Sequence, residues 1–174
     1  MVETRRRESV RLSEARVPTP SQTVGPFFGF ALPFETGHDA ASGEQAVRIE
    51  GQLFDGAGEP VTDGLLELSG AQQFARCRTD AEGLFHFNAV KPAAAPPPGG
   101  EAPHLDVTIF ARGLLRHLVT RMYFPDEAAA NARDRILNLV DADRRDTLIA
   151  HSEGAVLRFD IHLQGESETV FFAF

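Results

Sequence analysis

The chain has no tryptophan, one tyrosine, one cysteine and two methionines among 174 residues. A lone cysteine, Cys77, excludes an internal disulfide and matches the thiol usage of a reducing cytoplasm. No apolar stretch follows the charged N-terminal residues, so no secretory leader is read there. No hydrophobic run nears the ~20 residues needed to span a bilayer. Positive charge is also short: 17 lysines and arginines against 25 aspartates and glutamates give a net charge of -8. Such a chain repels phosphate backbones, so neither nucleic acid nor membrane is an expected partner. The run Arg5-Arg6-Arg7 reads as part of a solvated arm, and Cys77 as a small structural residue. No Ser-His-Asp triad, phosphate-binding loop or cysteine-based metal site is visible.

What the chain does have is phenylalanine, 14 of them. Phenylalanine fills cores and interfaces but cannot ligate a metal. At this length a single domain buries roughly 70% of the surface of its unfolded chain, enough for one core. Residues 1–17 are polar, charged and aperiodic and read as a mobile arm. Residues 18–174 read as one domain. It opens with PTPSQTVGPFFGFALPF, where four prolines and two glycines exclude a helix or a regular strand. Phe27, Phe28 and Phe30 in that segment require cover from the same domain or from a partner.

Beyond a polar loop at 35–46 the pattern turns to period two. Val47, Ile49 and Leu53 alternate with polar residues; Leu66 and Leu68 flank Glu67; Phe85 and Phe87 alternate with His86 and Asn88. Leu105, Val107 and Ile109 continue the series, residues 117–124 form another strand, and the cleanest alternation is Phe159-Ile161-Leu163. Turns are expected at 55–58 and 79–83, an irregular loop at 91–103, a short helix over 126–133 and a short apolar-polar segment at 144–150. Short, turn-punctuated strands with little helix predict an all-β sandwich.

Four stretches carry a more specific signal: Thr19-Pro20-Ser21-Gln22-Thr23-Val24-Gly25-Pro26-Phe27; Ala102-Pro103-His104 through Phe110-Ala111-Arg112-Gly113; Thr120-Arg121-Met122-Tyr123-Phe124; and Arg158-Phe159-Asp160-Ile161 through Gln164-Gly165-Glu166-Ser167-Glu168-Thr169-Val170-Phe171-Phe172. In this order they resemble the intradiol ring-cleavage dioxygenases, specifically the alpha chains of the protocatechuate 3,4-dioxygenase family, over nearly everything after residue 18. The resemblance implies a β-sandwich of the intradiol (aromatic compound dioxygenase) type with short helices and long loops. It also implies an alpha-beta heterodimer within a larger oligomer. In that family the beta subunit holds a non-haem Fe(III) through two tyrosinates and two histidines. The enzyme opens a catechol carboxylate with O2 between the two hydroxylated carbons. The alpha chain helps to wall the pocket.

On this resemblance, Thr23, Gly25 and Pro26 line the partner's substrate pocket, and Arg112, at the end of a strand, meets the substrate carboxylate. Phe27 stands where the family often has tyrosine. His104-Leu105-Asp106 stands where the iron subunit has its H-x-H pair, so one imidazole remains and a carboxylate replaces the other. Tyr123, the only phenol, does not match either tyrosine ligand, so a two-tyrosine, two-histidine ferric site cannot form in this chain. His104 and Asp106 are read as a vestigial position, with no cofactor bound by this chain. On ligand types alone, a His/carboxylate site using His104, Asp106 and another histidine stays open. The stretch 69–78 is shorter than is usual in family alpha chains and lacks their tryptophan and tyrosine. His86 and His162 read as hydrogen-bonded strand residues, and His38 and His151 fall in loop-like sequence. A stand-alone transthyretin-like or immunoglobulin-like binding module is the alternative that fold alone leaves open.

Overall fold

A computed structural model describes residues 31–43, 45–70, 72–94 and 100–173. Two sheets face one another. The first contains β1 (Ala46–Phe54), β4 (Leu84–Val90), β7 (His151–Glu153) and β8 (Val156–Arg158) in the order β4-β1-β8-β7, with β9 (Ile161–His162) also paired to β1. The second contains β2 (Leu65–Gly70), β3 (Gln73–Arg78), β5 (His104–Phe110) and β6 (Leu118–Tyr123) in the order β3-β2-β5-β6. Between β6 and β7 lie one short helix, α1 (Ala128–Asn131), and 3-10 turns at Pro125–Glu127, Leu137–Leu139 and Ala142–Leu148.

The period-two residues meet between the sheets. Ile49, Leu53, Phe85, Phe87 and Ile161 from the first sheet pack with Leu66, Leu68, Leu105, Val107, Ile109 and Met122 from the second. Burying a side chain such as Phe87 contributes about 2 kcal/mol. The second sheet is covered on its other face as well, near β6. Tyr123 packs there with Ala102, Leu137 and Leu148, and Val170 and Phe172 lie against the same cluster. The C-terminal segment and residue 150 also close the outer edge of β6. Phe172 donates its backbone N–H to Val119 (2.8 Å), Ala150 donates to Tyr123 (3.0 Å), and the Thr120 hydroxyl donates to Val170 (2.7 Å). Covering an exposed strand edge in this way blocks pairing with another chain.

The structure departs from the sequence pattern in three places. Phe159-Ile161-Leu163 is not one strand: β8 ends at Arg158 and β9 begins at Ile161. The backbone of β1 explains the break. Phe159 donates to the Glu50 carbonyl (2.8 Å), but the N–H of Gln52 goes to the side chain of Asp160 (2.9 Å) instead of to a strand carbonyl. Gly51 sits against the Phe159 carbonyl and the Phe85 ring so closely that a Cβ there would overlap both. Second, β3 has inverted hydrophobic order. Its inward residues are the small Ala75 and Cys77, while Phe74 is exposed. Burial raises the Cys77 thiol pKa, the opposite of what a reactive thiol needs. Third, His151 does not lie in a loop but begins β7.

Candidate functional site

β5 carries two sets of polar residues on the face that points away from the sandwich core. Residues 104, 106, 108 and 110 share that face, because strand side chains alternate. The β5–β6 register sets His104 opposite Tyr123 and Asp106 opposite Arg121. This brings together the residues read from sequence as vestigial with two that were not singled out as partners, Arg121 and Glu101.

Arg121 is only 13% exposed and lies between two carboxylates. Its Nη1 donates to Glu101 Oε2 (2.9 Å), and its Nε lies 3.1 Å from Asp106 Oδ1. The second contact is an ion pair without hydrogen-bond alignment, since neither atom has an aligned partner. Burial works against the charge on Arg121, but the Tyr123 hydroxyl and the charges of Asp106 and Glu101 outweigh it and raise the pKa. Its guanidinium lies over the Phe172 ring, 6.0 Å from the centroid. His104 is fixed from two sides, with Nδ1 2.8 Å from the Ala102 carbonyl and Nε2 3.4 Å from Glu101 Oε2.

Tyr123 is fully buried, and its hydroxyl donates to Asp134 Oδ1 (3.2 Å). Asp134, also fully buried, accepts from the Ala102 N–H (2.7 Å) and the Leu137 N–H (2.8 Å) as well. Burial, aided by the Asp134 charge and opposed by Arg121, pushes the phenol pKa well above its ordinary value. A phenol held protonated as a donor to a carboxylate is the reverse of a phenolate ligand. Arg121 already offsets part of the charge of the two carboxylates beside His104. The donor set therefore does not fit a ferric ion, and among the described residues no group of three His, Cys, Asp or Glu side chains is arranged to hold a metal.

Among the described residues the opposite end of β5 is open. Arg112 follows the strand by two residues, about 20 Å from Asp106 along the extended chain. It is not brought together with His104 and Asp106. Its guanidinium is 70% exposed, and Nε lies 3.2 Å from Asp63 Oδ2. Asp63 was not singled out in the sequence. Its only signal is positional: β2 pairs β5 with Leu65 opposite Phe110, and two more steps in that register set Asp63 opposite Arg112. The other expected pocket residues, Thr23, Gly25 and Pro26, lie outside the described residues, as do Phe27, Phe28, Phe30 and the arm at 1–17.

His38, His86, His117 and His162 make ring contacts, and among the described residues the rings of His86 and His162 have no hydrogen-bond partner. His162 stacks on Phe54 (4.8 Å between centroids), and His86 meets the edge of His38 (4.4 Å). Both lie in strands and are hydrogen-bonded through the backbone, His86 N–H to Cys77 Sγ (3.5 Å) and His162 N–H to the Thr169 hydroxyl (3.0 Å), as strand residues. Among the described residues no helix is long and apolar enough to cross a membrane.

Comparison with known proteins places this architecture. No protein-family model matches the chain. The structure is similar to the dioxygenase domain of a dioxygenase carbohydrate-binding protein fusion from Streptomyces sp. SirexAA-E, with a TM-score of 0.58 and 26% identity, covering 86% of this chain and 99% of that one. It is also similar to hydroxyquinol 1,2-dioxygenase from Pseudomonas putida DLL-E4, with a TM-score of 0.54 and 20% identity over 88% of this chain and 69% of that one. The two-sheet fold is thus that of the intradiol dioxygenases.

Within that class the sequence is more specific. It is 42% identical to the protocatechuate 3,4-dioxygenase alpha chain of Burkholderia cepacia, covering 88% of this chain and 96% of the relative. It is 38% identical to the alpha chain of Pseudomonas putida, covering 90% and 96%. Similarity to the beta chain of Burkholderia cepacia is lower, 31% over 73% of this chain and 67% of that one. The chain belongs to the family of protocatechuate 3,4-dioxygenase alpha chains.

Proposed function

We propose that this chain is the non-iron, alpha subunit of a protocatechuate 3,4-dioxygenase and completes the substrate pocket of an iron-bearing beta subunit. The observation that carries this reading is alpha-chain identity over most of the chain, combined with a metal-site position already filled by an ion pair. The holoenzyme adds both atoms of O2 to 3,4-dihydroxybenzoate and breaks the bond between the hydroxylated carbons, giving 3-carboxy-cis,cis-muconate. The ferric ion belongs to the beta subunit and activates the catechol there.

This chain's own contribution is binding and orientation. Arg112 offers a guanidinium to the substrate carboxylate through paired N–H donors. Gly25 allows close backbone approach, Pro26 supplies a rigid apolar edge for the ring, and Thr23 belongs to the same wall. The chain acts as one half of an alpha-beta heterodimer in a larger assembly, in the cytoplasm. The stand-alone binding module has no specific observation in its favour.

Co-expression with a beta chain carrying two tyrosine and two histidine ligands tests the proposal. The expected result is a coloured complex that consumes O2 and 3,4-dihydroxybenzoate in equal amounts, and no turnover from this chain alone. An inactive complex with intact iron, or turnover by the isolated chain, would overturn it.

A further inference from the structure

We propose that Asp63 is a positioning residue for Arg112, setting the direction from which its guanidinium meets the substrate carboxylate; the inference rests on the substrate role proposed for Arg112. The backbone of Asp63 is well fixed. It immediately precedes Gly64, whose N–H donates to the Thr79 hydroxyl (2.8 Å) and whose carbonyl accepts from the Thr79 N–H (2.9 Å). Thr79 is buried. A Cβ on residue 64 would lie 2.6 Å from a Leu53 methyl, so the turn packs directly on the core strand β1. Asp63 is therefore a carboxylate on a rigid mount, 20% exposed, facing an arginine on a surface turn.

The contact has a chemical sense. Asp63 Oδ2 is buried and, among the described residues, has no aligned hydrogen-bond donor; the nearby cation there is Arg112 at 3.2 Å. An ion pair with an exposed arginine does little for stability, so stability alone does not account for a carboxylate oxygen held dry at this position. Orientation does. A long exposed side chain otherwise spreads over many rotamers. A charge contact at Nε favours the rotamers that approach Asp63 and, among the described residues, leaves the Nη1/Nη2 edge free. That edge matches a carboxylate in the bidentate arrangement. Asp63 thus acts through Arg112 and need not touch substrate.

The test uses the complex with the beta chain and the variants Asp63→Asn, Asp63→Glu, Arg112→Gln and Asp63→Asn/Arg112→Gln. The readouts are kcat and KM for 3,4-dihydroxybenzoate, the inhibition constant of catechol, which lacks the carboxylate, and the melting temperature. Asp63→Asn is expected to raise KM about fivefold with kcat and catechol binding unchanged. Asp63→Glu recovers most of that loss. Asp63→Asn has no further effect once Arg112 is glutamine, as expected for two residues acting as one unit. If Arg112→Gln raises KM and Asp63→Asn does not, the positioning role is wrong and the reading of Arg112 stands. If Arg112→Gln leaves KM unchanged, that reading fails and the inference with it. Equal weakening of catechol and substrate, or no recovery by Asp63→Glu, would show a merely structural role and overturn the proposal.

Discussion

At one end of β5, His104 and Asp106 face an arginine that is 13% exposed; at the other, Arg112 is 70% exposed and faces Asp63. Both ends use an arginine-carboxylate contact across neighbouring strands, with comparable distances of 3.1 Å and 3.2 Å. The difference is what surrounds them. Arg121 of the first pair lies beside the 125–150 segment and the C-terminal residues and is shared between Glu101 and Asp106. The second stands at the end of the sheet with one partner and no roof among the described residues. An arginine shared between two carboxylates has fewer donors left for a ligand, whereas one held at a single nitrogen still has donors to offer. Exposure and partner count therefore distinguish the two ends, although the residue types there are alike, and on the proposed function only the second meets an anion.

The largest expected effect comes from breaking the closed end. Asp134→Ala leaves the N–H groups of Ala102 and Leu137 and the Tyr123 hydroxyl without their acceptor in a buried site. Stability falls by roughly 4 kcal/mol, read by denaturant unfolding. A loss under about 1 kcal/mol would mean that water replaces the carboxylate freely and that this end is not closed.

At the open end, Arg112→Gln raises KM for 3,4-dihydroxybenzoate in the alpha-beta complex about tenfold, close to 1.4 kcal/mol. The melting temperature stays near the wild-type value. A drop in stability with no change in KM would erase the contrast between the ends.

Tyr123 sharpens the comparison through pH. Its folded-state pKa is raised, so the folded protein keeps a proton that the unfolded chain releases above about pH 10. The stabilisation is fully present below that pH and is lost as pH rises toward the folded pKa. With one tyrosine and no tryptophan in the chain, phenolate absorbance reports this group alone. Tyr123→Phe costs about 1 kcal/mol at neutral pH and shows a shallower alkaline loss. A wild-type phenol that ionises near pH 10 without unfolding would show the pocket to be open. The smallest effect is reserved for His104→Gln, which changes stability by less than about 1 kcal/mol and leaves the iron content of the complex unchanged. A fall in iron content would reopen a metal role for this position.

Much of the sandwich was legible because its inward residues are large and alternate. Ile49, Leu53, Phe85, Phe87, Leu105, Val107 and Ile109 announce β1, β4 and β5 from spacing alone. β3 was hidden because Ala75 and Cys77 give little apolar signal while Phe74 faces outward. The alternation at Phe159-Ile161-Leu163 was real but concealed a break, because side-chain period does not record that Asp160 replaces a backbone acceptor. In the site, the H-x-H position was readable as His104-x-Asp106 because it is local in sequence. The roles of Arg121 and Asp63 were not, because each depends on a cross-strand partner: residue 106 for the first, residue 112 for the second. Strand register supplies that information, and hydrophobic pattern does not.

The placement of β1 has a consequence for biosynthesis. Its hydrogen-bonding neighbours include β4 on one side and, on the other, β8 and β9, more than a hundred residues later in the chain. During translation the second sheet can be completed once β6 has emerged, whereas β1 keeps an unpaired flank until residues 156–162 follow. Long-range pairing of this kind slows folding and leaves a strand edge exposed on the growing chain. A nascent chain whose 125–150 segment has just emerged would therefore hold one assembled sheet and one with an open margin.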